Sequence, residues 1–144
     1  DGDKIMPNVR QLINLFPKNL RAPFFWAQSL APHIRDGGSI ILIADIYGQS
    51  PSARFIPYGI TKAGVLAMTK GLAKALAPRL RVNAISPGVL SPESHDTQSD
   101  TPISTIPLGH AGTFEDIAKA VEYLSKADYT TGDVLTVSGG KNSS

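Results

Sequence analysis

Ser39-Ile40-Ile41-Leu42-Ile43-Ala44 is apolar at every position after the first, with no alternation. A strand with one wet face would alternate polar and apolar residues. An unbroken run is the pattern of a strand covered on both faces, which is typical of parallel sheets. Parallel strands need long crossover connections, usually helices. The flanking sequence supplies them. Residues 4 to 35 carry apolar residues at Ile5, Val9, Leu12, Ile13 and Phe16, then at Leu20, Phe24, Ala27, Leu30 and Ala31. This period predicts a helical stretch, bent or split by Pro17 and Pro23 and stopped by Gly37-Gly38. Residues 58 to 77 read as a second helix. Val65, Leu66, Leu72, Ala73 and Leu76 form its core-facing stripe, and Ala63, Ala67, Gly71 and Ala75 a stripe of small residues. Arg81 to Ile85 and Val134 to Val137 read as two more strands. A helix between them opens on Thr113-Phe114-Glu115-Asp116, a capping box with Asp in place of the usual Glu or Gln. Helices alternating with strands predict an α/β fold with a parallel sheet of about three strands.

The bulk properties narrow the class. A chain of 144 residues with 42% hydrophobic and 18% charged residues suits one globular domain. Fourteen basic and 12 acidic residues give a net charge of +2 with no basic block, so nothing argues for nucleic acid or membrane partners. The absence of cysteine excludes disulfides and thiolate metal sites and fits a reducing, cytoplasmic setting. His33, His95 and His110 lack ligand spacing, so no metal is expected.

In an open parallel sheet, ligands bind beyond the carboxyl ends of the strands. Asp45 stands at such an end. Tyr58 and Lys62 lie four apart on the following helix, hence on one face. An ammonium near a phenol favours phenolate, so the spacing predicts that Lys62 lowers the pKa of Tyr58 and makes it a proton donor. A plain exposed helical pair is the alternative for Tyr58 and Lys62, and a surface carboxylate for Asp45. Pro87-Gly88 closes the second strand, either as a simple turn or as a close backbone approach to a ligand. Phe24-Phe25-Trp26 reads as core or interface. Residues 91 to 104 read as a substrate-covering loop or a disordered connection.

Together these motifs resemble the short-chain dehydrogenase/reductase family over roughly residues 8 to 140. Tyr58-Gly59-Ile60-Thr61-Lys62 resembles its Tyr-x-x-x-Lys signature. Asn19 to Phe24 is similar to the helix segment carrying the family's active-site Asn. Arg81 to Gly88 is similar to the strand and Pro-Gly turn at the nicotinamide end of the cofactor, and Gly132 with Gly139-Gly140 fits the closing segment. The resemblance implies a Rossmann-like doubly wound sheet and an NAD(P)H-dependent reductase, with NADPH favoured over NADH. It implies that Tyr58 donates the proton, that Lys62 holds the ribose and that Asn19 orders a relay water. It also implies that Pro87, Gly88 and Val89 meet the nicotinamide carboxamide, with Ser91 standing in for a Thr common in the family. Asn19 has a second reading, as a polar residue serving backbone groups freed by Pro23.

Most of the family has Ser where this chain has Asp45, and Asp there resembles the pteridine reductase branch. That implies a pterin or folate substrate. An ordinary ketone, such as a 3-oxoacyl thioester or a sugar, is the alternative. The Gly-rich phosphate-binding turn between a first strand and helix is absent from the sequence. By resemblance, residues 1 to 144 are the carboxyl-terminal catalytic part of one Rossmann-type domain, without its amino-terminal dinucleotide-binding half. Asp1-Gly2-Asp3 then reads as a cut or processed boundary, and the first strand would carry an unpaired edge. A missing amino-terminal segment, a homotetramer and a non-catalytic role in assembly are the remaining expectations.

Overall fold

A computed structural model describes residues 6–91 and 102–141. Seven main elements follow the predicted order: α1 (Met6–Phe16), α2 (Ala22–Leu30), β1 (Ser39–Ile43), α3 (Ile56–Leu76), β2 (Arg81–Pro87), α4 (Phe114–Lys126) and β3 (Val134–Val137). The three strands form one parallel sheet in the order β1-β2-β3. Ile41 pairs with Asn83, and Ile85 with Leu135. The sheet is covered on both faces, as the unbroken apolar runs require. Leu42, Ala44, Val82 and Ala84 pack with Val65 and Ala73 of α3. On the opposite face Ile85 packs with Ala120 and Leu124 of α4.

The first helical stretch runs on past Pro17 and Pro23 without a break in helical structure. Pro17–Arg21 forms a π-helical segment between α1 and α2. Ala22 N–H reaches back five residues to the Pro17 carbonyl. Pro23 then falls in the first turn of α2, where its missing N–H costs least. Leu20 projects from the π segment against α3. A Cβ on Gly64 would stand 2.8 Å from Leu20 Cδ1, so a larger residue there would make the Leu20 side chain shift. Phe24, Phe25 and Trp26 are 45%, 53% and 65% exposed, which removes the core reading for them.

α3 begins at Ile56, two residues before the predicted start, because Pro57 is preset for the first turn. The capping box of α4 is present with Asp116 in the distal role: Asp116 N–H donates to Thr113 Oγ1, and Thr113 N–H donates to Asp116 Oδ2. A shorter carboxylate arm thus still closes the box. The expected covering loop falls largely on residues 92–101, outside the described residues, as do residues 1–5 and the Ser-rich tip at 142–144. Its base is described: Leu90 and Gly112 form a parallel bridge. Among the described residues, no helix is long and apolar enough to cross a membrane.

Two arginines fasten helix ends to the sheet. Arg81, at the start of β2, donates from Nη1 to the Leu124 and Ala127 carbonyls and from Nη2 to the Ser125 carbonyl. These are carbonyls that the end of α4 leaves without helical donors. Arg79 does the same for the Ala31 and Ile34 carbonyls after α2. Arg81→Ala should destabilise the chain by about 2 kcal/mol, the order of a charge-assisted hydrogen-bond set lost from a mostly buried site. Urea denaturation followed by circular dichroism checks this.

Candidate active site

The carboxyl end of β1 delivers Asp45 to the top of the sheet. The chain turns there into a 3₁₀ turn, Ile46–Gly48, and Asp45 caps it. Asp45 Oδ1 accepts from Tyr47 N–H at 2.8 Å. Its other oxygen, Oδ2, accepts from the Tyr58 hydroxyl at 3.0 Å. One carboxylate therefore joins the end of the strand to the first turn of α3. The turn seats closely on α3: a Cβ on Gly48 would lie 2.7 Å from the Lys62 carbonyl carbon. Tyr47 also stands edge-on to Tyr58, with ring centroids 6.5 Å apart at 82°. These contacts leave the Tyr58 ring little freedom.

Lys62 completes the cluster from one turn further along α3. Its ammonium lies 5.6 Å from the Tyr58 ring centroid and donates to the Ile43 carbonyl at 3.1 Å. The predicted electrostatics are overturned here. Tyr58 is held well above the usual phenol range, first by burial and then by the adjacent Asp45 carboxylate. Burial also raises Asp45 above the usual carboxylate range, against the hydrogen bonds from Tyr47 and Tyr58 and the charge of Lys62. Burial lowers Lys62, with Asp45 opposing. The partner that governs Tyr58 is thus the carboxylate bonded to its hydroxyl, not the ammonium beside its ring. Asp45 and Tyr58 share a hydrogen bond, and Lys62 acts on Asp45 through its charge.

Asn19 joins this cluster indirectly. Its Nδ2 donates to Thr61 Oγ1 at 3.3 Å, and Thr61 donates onward to the Tyr58 carbonyl at 2.8 Å. Asn19 sits within the π segment, a feature often found at functional sites. The sequence reading missed Thr61, a fully buried residue inside the signature itself. It also missed Tyr47, whose only signal was an aromatic two residues after Asp45.

Pro87 is the last residue of β2, and Gly88, Val89 and Ser91 follow it. Gly88 N–H donates to the Val137 carbonyl, and Gly112 N–H to the Val89 carbonyl. A Cβ on Gly88 would stand 2.8 Å from Ser138 Cα. Close passage of the closing strand therefore already demands glycine, whatever ligand approaches. Ser91 N–H donates to the Gly112 carbonyl, anchoring the base of the loop.

Asp45 provides a direct test. Its folded pKa is raised, so its contribution to stability is present at low pH and lost as pH rises through the raised value. Asp45→Asn keeps an acceptor for Tyr47 N–H and removes the charge. The variant should be more stable than the wild type at neutral pH, with the gap closing on acidification. Ultraviolet titration of the same variant should show the Tyr58 phenol returning toward its ordinary value of about 10. An unmoved Tyr58 would contradict the carboxylate's control.

Known proteins resemble this chain in sequence and fold. The family model described as Enoyl-(Acyl carrier protein) reductase matches residues 8–142. The Tropinone reductase-like 3 protein of Erythroxylum coca is 35% identical over 131 residues, covering 85% of this chain and 50% of the relative. The Short-chain dehydrogenase/reductase SDRA of Arabidopsis thaliana is 36% identical, covering 96% of this chain and 58% of the relative. A small-chain dehydrogenase solved in complex with NADPH superposes with a TM-score of 0.85 at 31% identity, covering 94% of this chain and 65% of that one. The chain spans about half the length of the curated relatives it matches. The three parallel strands and their flanking helices are thus part of a Rossmann-like sheet, and the chain belongs to the short-chain dehydrogenase/reductase family.

Proposed function

We propose that these residues are the catalytic half of an NADPH-dependent reductase that passes hydride to a pterin or folate ring. The observation that carries the reading is the Tyr58 hydroxyl resting on Asp45, a carboxylate itself raised in pKa by burial. Reduction of a ring C=N places hydride on carbon and a proton on nitrogen. Burial raises the Asp45 carboxyl, which favours its holding a proton beside the Tyr58 hydroxyl. Tyr58 relays that proton, and Asp45 is reprotonated from water. Lys62 supplies positive charge and holds the nicotinamide ribose, and Asn19 orders a relay water. Pro87, Gly88, Val89 and Ser91 face the nicotinamide end. The cofactor supplies the hydride. NADPH rather than NADH is supported by solved neighbours of this fold that are NADPH complexes.

A second reading has its own support. Several relatives bear the names of ketone reductases, among them a 3-oxoacyl-[acyl-carrier-protein] reductase of Chlamydia pneumoniae at 36% identity. In that case Asp45 would tune Tyr58 for a carbonyl oxygen. A purely structural role in assembly is the weakest reading, because it leaves the Asp45–Tyr58–Lys62 cluster unexplained.

The dinucleotide-binding half comes from further residues of the same polypeptide or from a companion piece, and the protein acts in the cytoplasm as a homotetramer. The apolar groove of ≈ 610 Å³ between Phe16, Leu20 and Phe24 on one side and Met68, Gly71 and Leu72 on the other is a surface suited to such assembly. Size-exclusion chromatography with intact mass tests this, and a well-behaved 15.3 kDa monomer would contradict it.

Two substitutions separate the chemistries in a protein carrying both halves. Tyr58→Phe should lower kcat by roughly 10²- to 10⁴-fold with either substrate class, the range for loss of a general acid. Asp45→Ser should cost a similar factor on dihydropterin. Near-normal ketone reduction by the same variant would favour the ketone reading. Steady-state NADPH oxidation measures both.

A further inference from the structure

Thr61 is fully buried in α3, between Tyr58 and Lys62 in the chain. A β-branched hydroxyl residue is a poorer helix former than Ala, so the helix itself does not ask for it. Its Oγ1 makes two bonds. It donates to the Tyr58 carbonyl at 2.8 Å and accepts from Asn19 Nδ2 at 3.3 Å. A Ser or Thr hydroxyl bonded back onto its own helix tends to bend that helix. The turn concerned here is the one that carries Tyr58 and Lys62.

Asn19 lies in the π segment, where Ala22 N–H bonds the Pro17 carbonyl. Its neighbour Leu20 sits against Gly64. Thr61 and Gly64 are three apart, hence on one face of α3. The π segment therefore meets that face through a polar and an apolar contact side by side. The bond this strap bears on has little slack. The Tyr58 hydroxyl reaches Asp45 Oδ2 at 3.0 Å, the long end of the range for a hydroxyl on an oxygen, so a shift of about 0.5 Å at Tyr58 would weaken it. We infer that Thr61 is a positioning residue: with Asn19 it holds the Tyr58 backbone so that the Tyr58 hydroxyl stays on Asp45. Thr61 acts through Tyr58 and not on the substrate. The inference rests on the reading of Tyr58 as proton donor, and it gives Asn19 a duty beside the relay water.

The test uses the protein that carries these residues together with its dinucleotide-binding half. Thr61→Val keeps the branched shape and removes the hydroxyl, and Thr61→Ser keeps the hydroxyl. The first readout is the ¹³C titration of the Asp45 carboxyl. The Tyr58 hydrogen bond lowers Asp45 against the upward pull of burial, so losing that bond moves the Asp45 midpoint further up. The Tyr47 N–H and the Lys62 charge also act on this carboxyl, and neither is altered by the two substitutions. Thr61→Val should raise the Asp45 midpoint and lower kcat for NADPH oxidation roughly ten- to a hundredfold, with KM for NADPH changing less than about twofold. Thr61→Ser should restore both. Asn19→Ala should move Asp45 in the same direction, and adding it to Thr61→Val should move Asp45 no further, because both remove one strap. Asn19→Ala also supplies the readout if Thr61→Val does not fold. An Asp45 midpoint unchanged in Thr61→Val, or in Asn19→Ala where that variant stands in, would overturn the inference even if kcat falls. Additive shifts in the double variant would overturn the shared strap. No NADPH oxidation with any substrate would sink the reductase reading instead, and the Asp45 titration would still decide the role of Thr61.

Discussion

The site hangs on one carboxylate. Asp45 uses one oxygen to start the 3₁₀ turn after β1 and the other to receive the Tyr58 hydroxyl. Without the first bond the chain would leave the strand in another direction. Without the second, the Tyr58 ring would lose its polar anchor. Both bonds form in a half-buried place, where desolvation opposes the charge that makes them strong. The outcome is a compromise: a carboxyl raised in pKa, a phenol raised further, and a lysine lowered. A serine would bring neither the second oxygen nor the negative charge that Asp45 presents to these two partners.

The rest of the fold serves that point. The parallel pairing of β1 with β2 brings Ala44 N–H to the Ile85 carbonyl and so fixes where Asp45 emerges. Gly48 lets the turn press on α3, and Gly64 lets the π segment press on α3 from another side through Leu20. Asn19 reaches the cluster only because of that second contact, through Thr61 and the Tyr58 carbonyl. Lys62 links the cluster to the end of β1 through the Ile43 carbonyl.

Much of this was legible in the sequence. The unbroken run at 40–44 gave a two-faced strand, and the order of helices and strands gave a parallel sheet. Asp45, Tyr58 and Lys62 could be placed together because a strand end and a helix face are local properties. The sign of the Tyr58 shift could not be read, because it depends on a hydroxyl–carboxylate contact across 13 residues and on burial, which spacing does not report. The glycine at position 88 reads from the sequence as a turn or as a close approach to a ligand, whereas Ser138, fifty residues away, already fills the space. The exposure of Phe24, Phe25 and Trp26 was equally hidden, since an apolar helix face does not reveal which partner, if any, is present.

The most direct measurement follows the hydride. NADPH deuterated at C4 of the nicotinamide would be given, with dihydropterin and a 3-oxoacyl thioester in competition, to the protein that carries these residues together with its dinucleotide-binding half. Mass spectrometry of the products reads where the deuterium goes. The Asp45–Tyr58 account predicts deuterium on carbon in the tetrahydropterin. Deuterium found only in the hydroxyacyl product would contradict it and assign the site to ketone chemistry.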